Sequence, residues 1–274
     1  MKIKTIYSLL LLAILLGLAQ LAFFSQAFPI NSVPLSKGIL VYEEYHPEKD
    51  DVIIAIHGSP GSKSDFETLS PRLKDSRIYA VDMYGFGESE KNVDNYGIEE
   101  QSKALAEFME KKKIDKATIF GYSWGGGVAI SFAYMFPEKA ESLILLAGMG
   151  IQEGEPTGSY HLERFRSSLS YPFVVYYPGS FVGSIGWRKG FMRSFLDTDQ
   201  RPIRNQLREI KTSSLILHGD KDNVIPMWVA EEHHSLLENS ELVYYSGGHG
   251  KVLSEDTEEI ADKITTYLKS KNIN

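Results

Sequence analysis

Ile119-Phe120-Gly121-Tyr122-Ser123-Trp124-Gly125-Gly126-Gly127 joins a short apolar run to a Gly-x-Ser-x-Gly turn. Beyond it Val128, Ala129, Phe132, Ala133 and Phe136 recur at helical spacing, and Pro137 closes the run. The pattern describes a strand that turns sharply into a helix and leaves one serine in a strained conformation at the turn. Such a turn demands small residues two before and two after the serine, and Gly121 and Gly125 hold those places. The motif also arises by chance at ordinary glycine and serine usage, so its meaning depends on whether the rest of the chain supplies partners for Ser123.

From Gly38 onward the chain alternates between strand and helix patterns. Ile39–Tyr42 reads as an early strand, and Val52–Ile56 is a continuous apolar run of the kind that lies in a sheet covered on both faces. It ends in His57-Gly58-Ser59-Pro60-Gly61, where two glycines and a proline force a tight loop whose backbone N–H groups point above the sheet. A helix is expected around Phe66 to Leu73, then a short strand Ile78–Val81 and the loop Asp82-Met83-Tyr84-Gly85-Phe86-Gly87-Glu88-Ser89. A helix from about Ile98 to Lys112, with Leu105, Phe108 and Met109 on one face, leads to the strand that carries the Ser123 turn. Leu143–Ala147 gives another buried strand. Further strands follow at Leu215–Leu217 and Leu242–Tyr245, entering His218-Gly219-Asp220-Lys221-Asp222 and Ser246-Gly247-Gly248-His249-Gly250. A last amphipathic helix carries Ile260, Ile264 and Leu268.

Ser123, Asp222 and His249 therefore each stand on a loop after a buried strand, and in a parallel sheet those loops share one edge, where ligands bind. Acyl transfer needs this trio for a physical reason. A serine hydroxyl is a weak nucleophile at neutral pH, so an imidazole must take its proton and a carboxylate must orient that imidazole and stabilise its cation. His249, among glycines at a strand end, is the base candidate. His233 and His234 fall inside a helix pattern, and His57 and His218 read as turn-shaping residues. Asp220 is the alternative acid, but Asp222 stands further out on its loop before Pro226 restarts the helix.

From about residue 36 to its end the chain resembles an α/β-hydrolase fold protein: a mostly parallel central sheet with helices on both faces and an inserted cap. His57-Gly58-Ser59-Pro60-Gly61 resembles that family's oxyanion loop, Asp82-x-x-Gly85-x-Gly87-x-Ser89 its next loop, and Gly121-x-Ser123-x-Gly125 its nucleophile elbow. The resemblance implies that Ser123, Asp222 and His249 are the catalytic triad, and that the backbone N–H groups of Ser59 and Trp124 form the oxyanion hole. It implies a cap at about 151–211. His-Gly-x-Pro-Gly together with Ser-Trp-Gly is similar to prolyl iminopeptidases, but Asp82-Met83-Tyr84-Gly85 stands where they carry Asp-Gln-Arg-Gly. The expectation is a serine hydrolase acting on a small-molecule carboxylic ester, without cofactor or metal. The alternatives are an aminopeptidase of prolyl iminopeptidase type and a non-catalytic small-molecule receptor on the same fold. No substrate-binding residue is legible.

Composition bounds the rest. The 274 residues, 43% of them hydrophobic, suffice for one large α/β domain, and a net charge of -7 argues against a nucleic-acid partner. Cysteine is absent, which excludes disulfides and thiolate metal sites. Residues 151–211 show no strand rhythm and hold ten aromatic residues, with nine Lys and Arg against six Asp and Glu. A positive surface is expected there, most clustered at Arg188, Lys189 and Arg193.

The domain plan is an anchor or signal at 1–27, a linker at 28–37 and the hydrolase domain at 38–274. Lys2 and Lys4 precede a stretch from Thr5 to Gln26 without a charged residue, long enough to span a bilayer at about 20 apolar residues. A retained transmembrane helix with the catalytic domain on the extracytoplasmic side is expected from the leading lysines. Cleavage as a signal after Ala27, giving a secreted or periplasmic protein, is the alternative.

Overall fold

The computed structural model describes residues 31–177, 183–254 and 257–271. The chain divides into two units, Met1–Ser32 and Val33–Asn274. Only Asn31 and Ser32 of the first are described, so the expected anchor or signal at 1–27 lies outside the described residues. Among the described residues no helix is long and apolar enough to cross a membrane.

Eight strands form one sheet in the order β1-β2-β4-β3-β5-β6-β7-β8. They are β1 (Ser32–Leu35), β2 (Gly38–Tyr45), β3 (Val52–Ile56), β4 (Arg77–Asp82), β5 (Ala117–Tyr122), β6 (Ala140–Leu146), β7 (Ser213–Gly219) and β8 (Ser240–Tyr245). β2 runs antiparallel to β4, and the pairs from β4 through β8 are parallel. Successive side chains of the central strands enter opposite cores. Ile54, Ile56, Ile119, Leu143 and Leu145 pack on one face, while Ile53, Ala55, Phe120, Ile144 and Leu146 pack on the other. Burial on both sides is why these strands read as unbroken apolar runs.

Helices α1 (Ile98–Lys112), α2 (Trp124–Met135) and α6 (Met227–Leu236) cover the first face through Leu105, Phe108, Val128, Phe132 and Val229. The second face is closed by α7 (Glu258–Lys271), through Ile260 and Ile264, together with Phe66 and Leu69. Phe66 ends one 3₁₀ turn, Lys63–Phe66, and Leu69 is the cap before a second, Ser70–Arg72, where one helix was expected. The first is closed by reciprocal capping between Ser62 and Asp65, and Pro71 begins a new turn instead of continuing the old one.

Between β6 and β7 lie a 3₁₀ turn (Gln152–Gly154), α3 (Tyr160–Tyr176), α4 (Ile185–Leu196) and α5 (Ile203–Glu209), with no strand among the described residues. α3 packs on α4, whereas α5 packs on α2 and α6 of the main body. The stretch expected as a linker at 28–37 contains β1, where Val33 and Leu35 are buried and Pro34 is exposed. Proline is tolerated because β1 is the edge strand, with no neighbour needing its N–H on the outer side. The loops after β3, β4, β5, β6, β7 and β8 all leave the carboxyl edge of the sheet, and the candidate residues stand there.

Candidate active site

β5 ends at Tyr122 and α2 begins at Trp124, so Ser123 alone makes the turn, at φ 52° and ψ -120°. That left-handed backbone is costly for a residue with a Cβ and persists only where its surroundings hold it. Three bonds do so here: Ser123 N–H donates to Leu146 O at 3.0 Å, and Ser123 O accepts from Gly126 N–H and Met149 N–H, each at 2.9 Å. The flanking glycines answer to close approach. A Cβ at Gly121 would lie 2.3 Å from Gly125 O, and one at Gly125 would lie 2.3 Å from Ile56 O.

His249 follows β8, and its Nε2 is 2.9 Å from Ser123 Oγ. Its Nδ1 is 2.8 Å from Asp222 Oδ2. A carboxylate only accepts, so Nδ1–H donates to Asp222, and Nε2 is left to accept the Ser123 hydroxyl proton. Tyr122 supports the ring from one side, with centroids 5.3 Å apart, and its hydroxyl donates to His249 O at 3.1 Å. The Asp222 side chain is fully enclosed, and its Oδ1 accepts the N–H groups of Val224 and Ile225, each at 2.9 Å. Burial raises the cost of its charge, but the His249 bond and the two N–H donors outweigh that and hold its carboxyl below the usual range. Asp220, the other candidate acid, instead accepts Gly247 N–H at 2.9 Å and shapes the His249 loop. His218 Nε2 donates to Ile225 O at 3.0 Å and lies 3.7 Å from Asp222 Oδ2, the oxygen that His249 meets.

Ser59 and Trp124 both border the cavity onto which Ser123 opens. Neither backbone N–H donates to another described residue. The Ser59 loop is fixed from below: His57 Nε2 accepts Met83 N–H at 3.0 Å, its Nδ1–H donates to Gly58 O at 2.6 Å, and Asp65 Oδ2 accepts Gly58 N–H at 3.3 Å. The Asp82–Ser89 loop braces the same region. Asp82 accepts the N–H groups of Lys63 at 2.6 Å and Glu88 at 2.8 Å, and Ser89 Oγ donates to Asp82 O at 2.6 Å. His57 and the Asp82 motif are thus structural supports of the site, and neither reaches Ser123.

The cavity, about 230 Å³, is walled largely by Met149, Ile151, Phe195, Val224, Ile225 and Val229. Beyond Ser59 and the Ser123 turn, its polar wall is Glu155 and Gln200. Glu155 accepts from Gln200 Nε2 at 2.6 Å, from Gln152 Nε2, and from Arg164 at 3.5 Å. Burial pushes its carboxyl above the usual range, against the pull of Arg164. These lining residues escape sequence reasoning because they come from separate loops and helices and share no spacing. The expected positive surface is also reduced: Arg193 meets both Asp197 oxygens at 2.9 Å, and Arg164, Arg166, Arg201, Arg204 and Lys211 each meet an acid. Among the described residues no three His, Cys, Asp or Glu side chains converge on a metal-sized site.

Two family models match the chain: alpha/beta hydrolase fold over residues 51–176, and TAP-like protein over 192–274. A 2-hydroxy-6-oxo-2,4-heptadienoate hydrolase of Pseudomonas putida is 27% identical, covering 72% of this chain and 82% of its own. An esterase from Exiguobacterium antarcticum superposes with a TM-score of 0.72 at 21% identity, over 87% of this chain and 99% of that one. A membrane phospholipase A superposes with a TM-score of 0.68 at 24% identity, over 98% of this chain and 99% of that one. With the sheet order and the strand-turn-helix at Ser123, these matches make the chain a member of the α/β-hydrolase fold superfamily, and a hydrolase.

Proposed function

We propose that the protein hydrolyses a carboxylic ester through an acyl-enzyme on Ser123. The observation that carries this is the unbroken line from Ser123 Oγ through His249 to Asp222, at 2.9 and 2.8 Å, opening on an apolar cavity. His249 takes the hydroxyl proton as Ser123 Oγ attacks the ester carbonyl. The negative charge that develops on the carbonyl oxygen is met by the N–H groups of Ser59 and Trp124, whose donors are otherwise uncommitted. Collapse expels the alcohol, which receives the proton from His249. Water then attacks the acyl-enzyme with His249 as base, releasing the carboxylic acid and restoring the serine. The esterase among the structural relatives supports this choice of bond.

We infer further that the ester is met at a membrane. The uncharged stretch Thr5–Gln26 supports this, as does a membrane phospholipase A that matches this chain nearly end to end.

The test is turnover of a p-nitrophenyl ester series together with covalent labelling by a fluorophosphonate. Ser123→Ala should abolish labelling and lower kcat by roughly 10⁴ to 10⁶, and His249→Ala should match it, because groups acting as one unit lose a similar factor. Comparable turnover by Ser123→Ala would sink the mechanism, and a protein that binds esters without turning them over would be a receptor.

A further inference from the structure

α3 is an amphipathic helix facing the unexpected way. Leu162, Phe165, Leu169, Phe173 and Tyr176 follow one another at intervals of three and four residues. At 100° per residue they fall within an arc of about 80°, and at 1.5 Å per residue they extend for about 21 Å. All five are between 47% and 69% exposed. The opposite face points into the protein, where Val175 is fully buried, Arg164 meets Glu155 at 3.5 Å and the Tyr160 ring lies under Arg164 and Arg201. A helix that buries its charged side and exposes its apolar side lacks a partner for that side in water.

Charge at the border of the face has one sign. Glu163 is turned inward by the Thr157 N–H at 2.7 Å and is only 12% exposed, whereas Arg166, which meets it at 3.2 Å, remains 55% exposed. A row of Leu, Phe and Tyr bordered by an outward arginine suits the interfacial layer of an anionic bilayer, where aromatic and aliphatic side chains enter the acyl boundary and cations meet headgroups. The chain also carries, outside the described residues, the uncharged stretch Thr5–Gln26, of the length that spans a bilayer. Glu155 and Pro156, just before α3, line the cavity that holds Ser123.

We propose that the outward face of α3 docks on a lipid bilayer, so that an ester held in the membrane enters the Ser123 cavity from the lipid side. The second half rests on the ester-hydrolase reading, and the docking does not.

The chain has no cysteine, so single cysteines report without background. Full-length Leu169→Cys and Phe173→Cys proteins, and Lys116→Cys on the exposed loop before β5 as control, are labelled with an environment-sensitive fluorophore. They are then mixed with vesicles of phosphatidylcholine and phosphatidylglycerol, with and without nitroxide-bearing lipid. Quenching at 169 and 173 should exceed that at 116 several-fold. Equal quenching at all three sites overturns the proposal. A fluorescence change that follows protein concentration at fixed lipid and ignores the nitroxide also overturns it, assigning the face to a second copy of the chain. In a second arm, Phe165→Ser combined with Phe173→Ser should slow hydrolysis of a vesicle-embedded ester about tenfold relative to a soluble short-chain ester. Loss of this ratio effect sinks the entry route. If the unmodified protein turns over neither ester while the quenching pattern holds, the hydrolase reading fails and the docking stands.

Discussion

Two aspartates two residues apart divide between the His249 imidazole and the loop that carries it. Asp222 meets His249 Nδ1 at 2.8 Å, while Asp220 accepts Gly247 N–H at 2.9 Å. Asp222→Asn presents an amide that can donate, so the imidazole is pushed toward the wrong tautomer, and kcat should fall by about 10⁴. Asp220→Asn keeps an acceptor for Gly247 and should cost less than about tenfold. Measured kcat for the two variants on one soluble ester decides between them, and the reverse ranking would make Asp220 the acid. The distinction is partly legible in the order of residues, since Asp222 stands further out on its loop, nearer Pro226. What no spacing reveals is that, beside the His249 bond, the Val224 and Ile225 N–H groups help keep its carboxyl below the usual range, because those depend on the fold of the loop itself.

The strand-turn-helix around Ser123 carries the least tolerance. Gly121 has no room for a methyl group, since its Cβ would stand 2.3 Å from Gly125 O and 2.7 Å from Gly126 Cα, both backbone atoms. Gly121→Ala must push α2 away from β5 and should destabilise the protein by about 3 kcal/mol, the upper end for overpacking. That corresponds to a fall in Tm of roughly 6–12 °C, and an unchanged Tm in a thermal melt would show that the turn relaxes freely. The same contact explains why this element is the most legible in the sequence: the constraint is local and leaves two glycines as its mark. β3, β5, β6 and β7 are legible as well, because burial on both faces leaves unbroken apolar runs. The antiparallel direction of β2 and the strand β1 are not, since each depends on a partner distant in sequence. The two 3₁₀ turns at 63–66 and 70–72 share the apolar spacing of one helix, and only Pro71 signals the break. The cavity wall is illegible altogether, being assembled from loops and helices across the carboxyl edge.

At the scale of the whole molecule, two buried imidazoles make stability fall as pH drops below 6.5. His233 lies in α6, wholly enclosed, with Nε2 meeting no hydrogen-bond partner among the described residues and Gly150 packed against it. Burial first, and the charge of His218 second, lower it from 6.5 to about 3. The unfolded chain therefore binds a proton below its ordinary value of 6.5 that the folded chain refuses until about 3, so stability present above 6.5 is lost progressively as pH falls through that window. Burial lowers His218 as well, which adds in the same direction. Asp222, also lowered, adds its loss only further down, below the ordinary carboxylate range. Glu155 and Asp65 oppose them, since burial raises both carboxyls and protonation relieves that cost. Between pH 7.5 and 5.0 the His233 contribution should be about 2 kcal/mol, taking one proton and about 1.4 kcal/mol per pH unit below 6.5. His233→Met, which fills similar space without a titrating group, should lose about 2 kcal/mol less than the unmodified protein over that interval. Urea unfolding of both proteins at the two pH values measures the difference, and equal losses would show that His233 takes up its proton in the folded state.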